Sequence, residues 1–167
     1  LVLVPNYSLP LDYQSSLGTF DLLLAASHQL NNFQLNVALQ QPLTQSENGY
    51  VYGDGGNTIQ TTNGFERKGV GLVRISYPLE LNDKISLTPS LLNIYHFGND
   101  TYLENNERKD IEGSDGLTVN VTAFLDYKLS SKSNIMVNMG TPLVVREIRP
   151  DGLTRAFVAG LEYRVYF

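Results

Sequence analysis

Apolar and polar residues alternate with a period of two along much of the chain. In Phe33–Leu43, Leu117–Leu129 and Leu153–Phe167, most alternate positions are apolar and most of the positions between them are smaller or more polar. Because successive side chains of a strand point to opposite faces, this pattern predicts strands with one apolar and one polar face. Four further segments predict strands with less regular alternation, namely Gly18–Leu30, Lys68–Glu80, Lys84–Phe97 and Asn134–Glu147.

The predicted strands are long, and the connections between them alternate in length. Strands of globular proteins average about 5–6 residues, whereas a tilted membrane-spanning strand needs about 9–11. Tight turns are predicted at Asn31-Asn32, Leu81–Asp83 and Ser130–Ser133. Long or medium polar loops separate them, at 44–67, 98–116 and 148–152. Outer-membrane barrels have short periplasmic turns and longer outer loops, so both features favour a membrane barrel over a soluble barrel or sandwich.

We therefore predict an all-β protein, an antiparallel up-and-down transmembrane β-barrel of about eight strands forming one domain over residues 1–167. Bacterial barrels have even strand numbers, so residues 1–11 would supply the eighth strand, although Pro5 and Pro10 each remove a ladder donor. The chain begins without Met or a signal peptide, as a mature exported chain would. A chain lacking upstream strands would also begin this way, and the barrel would then be larger.

Composition narrows the class of protein further. Charged residues make up 17% of the chain, Cys is absent and the net charge is −5. A nucleic-acid-binding surface, a disulfide scaffold and a thiolate metal site are thereby disfavoured. No apolar run is long enough for a spanning helix. The polar faces carry Gln, Asn, Thr and Ser rather than many Lys and Glu, which suits a polar lumen.

Six charged residues fall on the polar faces of three strands and are predicted to line the lumen. They are Arg74, Glu80, Asp126, Lys128, Glu162 and Arg164. One interpretation is that these three acids and three bases pair with one another, since buried charges must be paired. The other is a plug or gate that controls the passage of ions or solutes.

A second set of arginines surrounds the last outer loop. Guanidinium groups bind phosphates in a bidentate manner, and the outer leaflet presents the phosphates of lipopolysaccharide. We expect contacts with that lipid from Arg146, Arg149 and Arg155. The alternative is that they only keep the loop soluble.

The sequence contains no convincing catalytic or metal-binding set. The acidic loop Gly98–Gly116 lacks a regular calcium-loop spacing, so we interpret it as a solvated surface loop. His28 and His96 are predicted at opposite ends of the barrel, and neither has a Ser and an acid in reach. We therefore expect no enzyme activity, no cofactor and no metal.

Several short motifs resemble a known family. They are Leu17-Gly18-Thr19-Phe20-Asp21, Gln41-Pro42-Leu43-Thr44, Thr141-Pro142-Leu143 and Gly160-Leu161-Glu162-Tyr163-Arg164. Over residues 5–45 and 115–167 the layout resembles bacterial outer-membrane transporters linked to the degradation of phenol and other aromatic compounds. The resemblance implies a barrel and the transport of an aromatic solute. Members of that family are longer than this chain.

These observations predict a porin-like protein of the outer membrane of a Gram-negative bacterium, with a periplasmic C-terminus because the chain closes on an aromatic strand, Tyr163–Phe167. The expected function is passive passage of a small aromatic or apolar solute. The alternative is a non-transport barrel that acts as an anchor, an adhesin or a subunit of an outer-membrane complex. The expected partners are outer-membrane lipid and lipopolysaccharide, a small solute and an outer-membrane protein, but no nucleic acid.

Overall fold

The structure, a computed structural model, describes residues 8–9, 11, 14, 16–50, 62–150 and 156–167. Within these residues the chain is all-β, as predicted. No described helix is long and apolar enough to cross a membrane. The strands are β1 (Asp21–Leu30), β2 (Phe33–Pro42), β3 (Val70–Ser76), β4 (Leu79–Asn82), β5 (Ile85–His96), β6 (Thr101–Glu104), β7 (Glu107–Asp110), β8 (Gly116–Ser130), β9 (Ser133–Val144) and β10 (Val158–Val165).

Eight strands form one antiparallel sheet in the order β1-β2-β3-β5-β8-β9-β10, with β4 also paired to β5. Strands β6 and β7 form a separate hairpin. No pairing between β1 and β10 occurs among the described residues, so the predicted closure into a barrel is not observed. The strand predicted over residues 1–11 lies largely outside the described residues, and the described positions 8, 9 and 11 are not in a strand.

The predicted strand Lys68–Glu80 is present as β3 and β4, which keep one register against β5 as far as Glu80. Ser76 pairs with Ser90 and Leu79 pairs with Leu87. Between them, the Tyr77 amide donates to the Pro89 carbonyl at 3.0 Å. Pro78 has no N–H, so the ladder is interrupted there without a change in direction.

The connections are sorted by length, as predicted. Two-residue turns at 31–32, 83–84 and 131–132 join β1 to β2, β4 to β5 and β8 to β9, and all three lie at one end of the sheet. Asn31 has a φ of 51°, a left-handed conformation that Asn tolerates better than most residues. The described parts of the long connections 43–69, 97–115 and 145–157 lie at the opposite end.

The two faces of the sheet differ in polarity and in exposure. On β2, Phe33, Leu35, Val37 and Leu39 are exposed, while the residues between them are partly covered. We call the covered side the polar face and the exposed side the apolar face. Val121, Leu161 and Val165 continue the exposed apolar face on β8 and β10, and Val119 is half-buried there.

The most buried apolar residues lie among the loops rather than between sheet layers. Leu11, Phe65 and Ile111 are almost fully buried and pack together, with Leu17, Tyr102 and Ile148 against them. The hairpin β6–β7 joins this loop cluster through Thr101, which exchanges two backbone hydrogen bonds of 2.9 Å with Glu66. The long connections are therefore folded against one another at one end of the sheet.

Candidate functional site

The six charged residues predicted to line a lumen share the polar face. The strand registers place Glu80 opposite Ser86, Ser86 opposite Asp126, and Lys128 opposite Asn134. Glu162 and Arg164 continue the same rows on β10. Five of the six lie towards the tight turns, and the sixth, Arg74, lies near the middle of its strand.

Mutual pairing holds for one pair of these six residues. Arg164 Nε donates to Glu162 Oε1 at 2.7 Å. Asp126 instead accepts a hydrogen bond from Asn134 Nδ2 at 3.0 Å. Glu80, Asp126 and Lys128 line a cavity of about 220 Å³ at the tight-turn end. The six residues thus form one charged cluster near the turns and one separate cation.

Arg74 is that separate cation. Its Nη2 donates to Ser90 Oγ at 3.2 Å, and its guanidinium carbon lies 4.9 Å from the centre of the Phe124 ring. Ser90 and Phe124 belong to β5 and β8, so two strands beyond β3 supply contacts on the polar face. Arg74 lines a cavity of about 320 Å³ whose polar-face walls are Ala25, Ser27, Asn36, Ala38, Leu72 and Leu92.

The arginines proposed to bind lipopolysaccharide have different positions. Arg146 is buried, and its Nη1 lies 3.5 Å from Asp100 Oδ2, with side-chain exposures of 4% and 0%. A guanidinium held inside the loop cluster is not presented to lipid headgroups, so the prediction is corrected for Arg146. Arg149 is half-buried and lines a second cavity of about 320 Å³ on the polar face. Arg155 lies outside the described residues.

Asp100 connects several segments of the loop cluster. Its Oδ1 accepts the Lys68 amide at 3.0 Å, and its own amide donates to Ser114 Oγ at 2.8 Å. Its carbonyl accepts the Ile111 amide at 2.8 Å. Arg146 also donates to the Ser114 carbonyl. The interpretation of residues 98–116 as uniformly solvated is therefore wrong for Asp100, since its side chain is buried and bonded.

A larger cavity, of about 740 Å³, lies beside the loop cluster. Its lining includes Ser8, Leu9, Gln14 and residues 44–48, and among the described lining residues Glu47 alone is charged. Size alone does not make it the better candidate, because it lacks converging charged groups.

No group of three or more His, Asp or Glu side chains suited to a metal ion occurs in the described part of the chain. His28 lies on β1 near a tight turn, and His96 is buried at the other end of β5, which agrees with their predicted separation. The expected absence of catalysis stays a prediction.

The candidate site is thus the polar face around Arg74, and sequence reasoning found only part of it. The alternation of β3 placed Arg74 on this face, but Arg149 follows the last residue of β9 by a loop segment whose path no periodicity predicts. No protein-family model, curated protein or solved structure matches the chain.

Proposed function

We propose that this chain forms a bacterial outer-membrane β-barrel through which a small aromatic or apolar solute passes. The observation that carries the proposal is the inverted distribution of side chains on the sheet. Most apolar residues of the sheet lie on the exposed face, and most polar residues of the central strands lie on the covered face. A soluble sheet would bury the first set and expose the second.

The exposed apolar face continues across the sheet from β1 to β10. Leu24, Val37, Ile75, Val121 and Leu161 are each at least one-third exposed on this side. Monomeric soluble proteins rarely expose a contiguous apolar surface of this kind. A lipid bilayer would cover it, and β5 and β8, at 12 and 15 residues, are long enough to cross the hydrocarbon at a tilt.

A membrane location adds a requirement for the two edge strands. Hydrocarbon offers no hydrogen bonds, so each backbone N–H and C=O of a spanning strand must pair within the protein. The free edges of β1 and β10 would therefore pair with each other or with further strands. In this arrangement the tight turns and the C-terminus are periplasmic and the loop cluster is outside.

The absence of Cys from the chain makes a sharp test of the apolar face possible. Val121 and Thr122 are neighbours in the middle of β8, on opposite faces. Single variants Val121→Cys and Thr122→Cys would each be labelled with an environment-sensitive fluorophore in liposomes. We expect lipid-attached nitroxides to quench the label at 121 and to spare the label at 122. Equal quenching, or none at either position, would refute the membrane orientation.

Passage itself is tested by single-channel conductance in a planar bilayer. Steady conductance by the inserted protein is the expected result. Insertion without conductance would favour the second candidate, a barrel that anchors or presents its loops to a partner. The observation behind that candidate is the hairpin β6–β7, whose second strand is exposed along its whole length and strongly charged.

A further inference from the structure

In the middle of the polar face, Arg74 has no acidic neighbour among the described residues of the sheet. Arg74, Leu92 and Asn120 lie in one row across β3, β5 and β8. Glu80 lies six residues further along the strand from Arg74, and Asp126 six residues along β8 from Asn120. At about 3.3 Å per residue, these acids are about 20 Å from the row. On the side of this row nearer the loops, Asp21 lies six residues away along β1. Its carboxylate lies 3.9 Å from the Arg67 guanidinium.

The arginines in this region have enclosed donors that are not used. Among the described residues, Arg74 Nε and Arg149 Nη2 are shielded from solvent and donate to no acceptor. The hydroxyl of Thr122, which lines the cavity of Arg149, is equally shielded and without a partner. A guanidinium is always charged, and enclosing it without an anion or a full set of acceptors costs free energy. Three unused polar atoms in one region point to a ligand.

The walls between the two arginines are apolar. Leu92 lines both cavities of about 320 Å³, the one with Arg74 and the one with Arg149. Phe124 carries the Arg74 guanidinium on its ring and also lines the cavity of Arg149. Volumes of this size lie at the lower end of small-molecule sites, so each accommodates about one ring. The other polar residues that line the two cavities are uncharged, among them Asn36, Asn120 and Asn138.

We propose that Arg74 and Arg149 form a binding site for a small organic carboxylate, with its apolar ring against Leu92 and Phe124. A carboxylate accepts paired hydrogen bonds from a guanidinium, which a neutral solute cannot match. This inference rests on the proposed function in one respect, since it names the class of solute. Binding is measured without passage, so the two proposals fail separately.

The test uses the full chain folded in detergent and benzoate as the probe, with binding followed by calorimetry. We expect saturable binding that Arg74→Gln and Arg149→Gln each weaken by at least about tenfold, the usual effect of losing a charge-assisted hydrogen bond. The matched control is Lys128→Gln, which removes the same charge from the polar face at the tight-turn end and is expected to leave binding unchanged. Benzyl alcohol, which has the ring without the charge, is expected to bind at least about tenfold more weakly.

Three results would overturn the site. They are the absence of saturable benzoate binding to the folded wild type, equal weakening by Lys128→Gln, and equal binding of benzyl alcohol. Each variant is first checked for folding by circular dichroism and heat-modifiable migration. If Arg74→Gln does not fold, Arg149→Gln decides the question, because Arg149 lies in a loop outside the strands. Arginine-dependent binding without conductance would refute passage and leave the site intact.

Discussion

At the scale of single residues, the environment of a charge decides its role. Arg146 and Asp100 are both buried in the loop cluster, whereas Arg108 pairs with Glu66 at 2.6 Å with 38% and 31% of the side chains exposed. An exposed pair is screened by water and contributes little, while removing one partner of a buried pair leaves an uncompensated charge. The two pairs therefore form a matched comparison.

We predict that Arg146→Met destabilises the loop cluster by about 3–5 kcal/mol, because it removes the guanidinium that lies 3.5 Å from the buried Asp100 carboxylate. Arg108→Met is expected to cost about 1 kcal/mol or less. Native-state hydrogen exchange at the Ile111 amide, which donates to the Asp100 carbonyl, reports the opening of this cluster. Similar exchange rates in the two variants would contradict the assigned role of Asp100.

Lys109 provides a residue-scale prediction about pH. The hydrogen bond that the Lys109 ammonium donates to the Glu104 carboxylate, followed by the negative charge of that carboxylate, holds the pKa of Lys109 above its ordinary value of 10.5. Because the pKa of Lys109 is raised in the folded state, its pairing with Glu104 contributes its full stabilisation of the fold below the pKa that Lys109 has in the unfolded chain. This contribution is lost as pH rises through the folded-state pKa of Lys109. Titration of Lys109 followed by NMR should show its pKa falling in Glu104→Gln. Glu107→Gln, which removes the weakest of the contributing charges, should change it little, and equal effects would contradict this assignment.

At the same scale, the sequence predicted which face of the sheet a side chain lies on better than it predicted which residue that side chain contacts. Period-two alternation assigned Arg74, Asp126 and Glu162 to one face because the pleat fixes side-chain direction. It could not pair Asp100 with Arg146, since these residues belong to different loops and meet only when the loops fold together. Isolated apolar residues such as Phe65 in polar loops gave no periodic signal of a core.

At the scale of elements, the long strands and tight turns followed from the alternation of apolar and polar residues and from the short gaps between the alternating segments. The exceptions have physical causes. Pro78 interrupts the ladder between β3 and β4 while the register continues, so alternation alone predicted one strand. The hairpin β6–β7 was missed because its strands are short and charged, although its turn residues Asn105 and Asn106 both have positive φ, which Asn favours.

The edge strands carry a prediction at this scale. Half of the N–H groups of β1 and β10 point away from their neighbours β2 and β9, as in any antiparallel edge. In a membrane or detergent they should be paired, because hydrocarbon does not solvate them. We expect hydrogen exchange in lipid nanodiscs to protect these amides nearly as well as the amides of central strand β8. Rapid exchange confined to β1 and β10 would indicate an open sheet and contradict barrel closure.

At the scale of the whole molecule, the structure has a small apolar core among the loops and an exposed apolar sheet. The all-β antiparallel class followed from the sequence because alternation is a local signal. Closure of the sheet into a barrel did not follow from the sequence in this way, since it depends on the pairing of edge strands that are far apart in the chain. In the proposed membrane setting, lipid would cover the face that the protein itself leaves open.

The sorting of the connections by length has a consequence for how the molecule assembles. A two-residue turn closes with little loss of chain entropy, whereas closing a long connection such as 43–69 costs on the order of 2 kcal/mol more. The three tight hairpins should therefore form early as independent ribbons. They are β1–β2, β4–β5 (extended by β3) and β8–β9. Growth of the sheet would then proceed by docking whole ribbons edge to edge, and the slow step would be the meeting of ribbons rather than the formation of any strand.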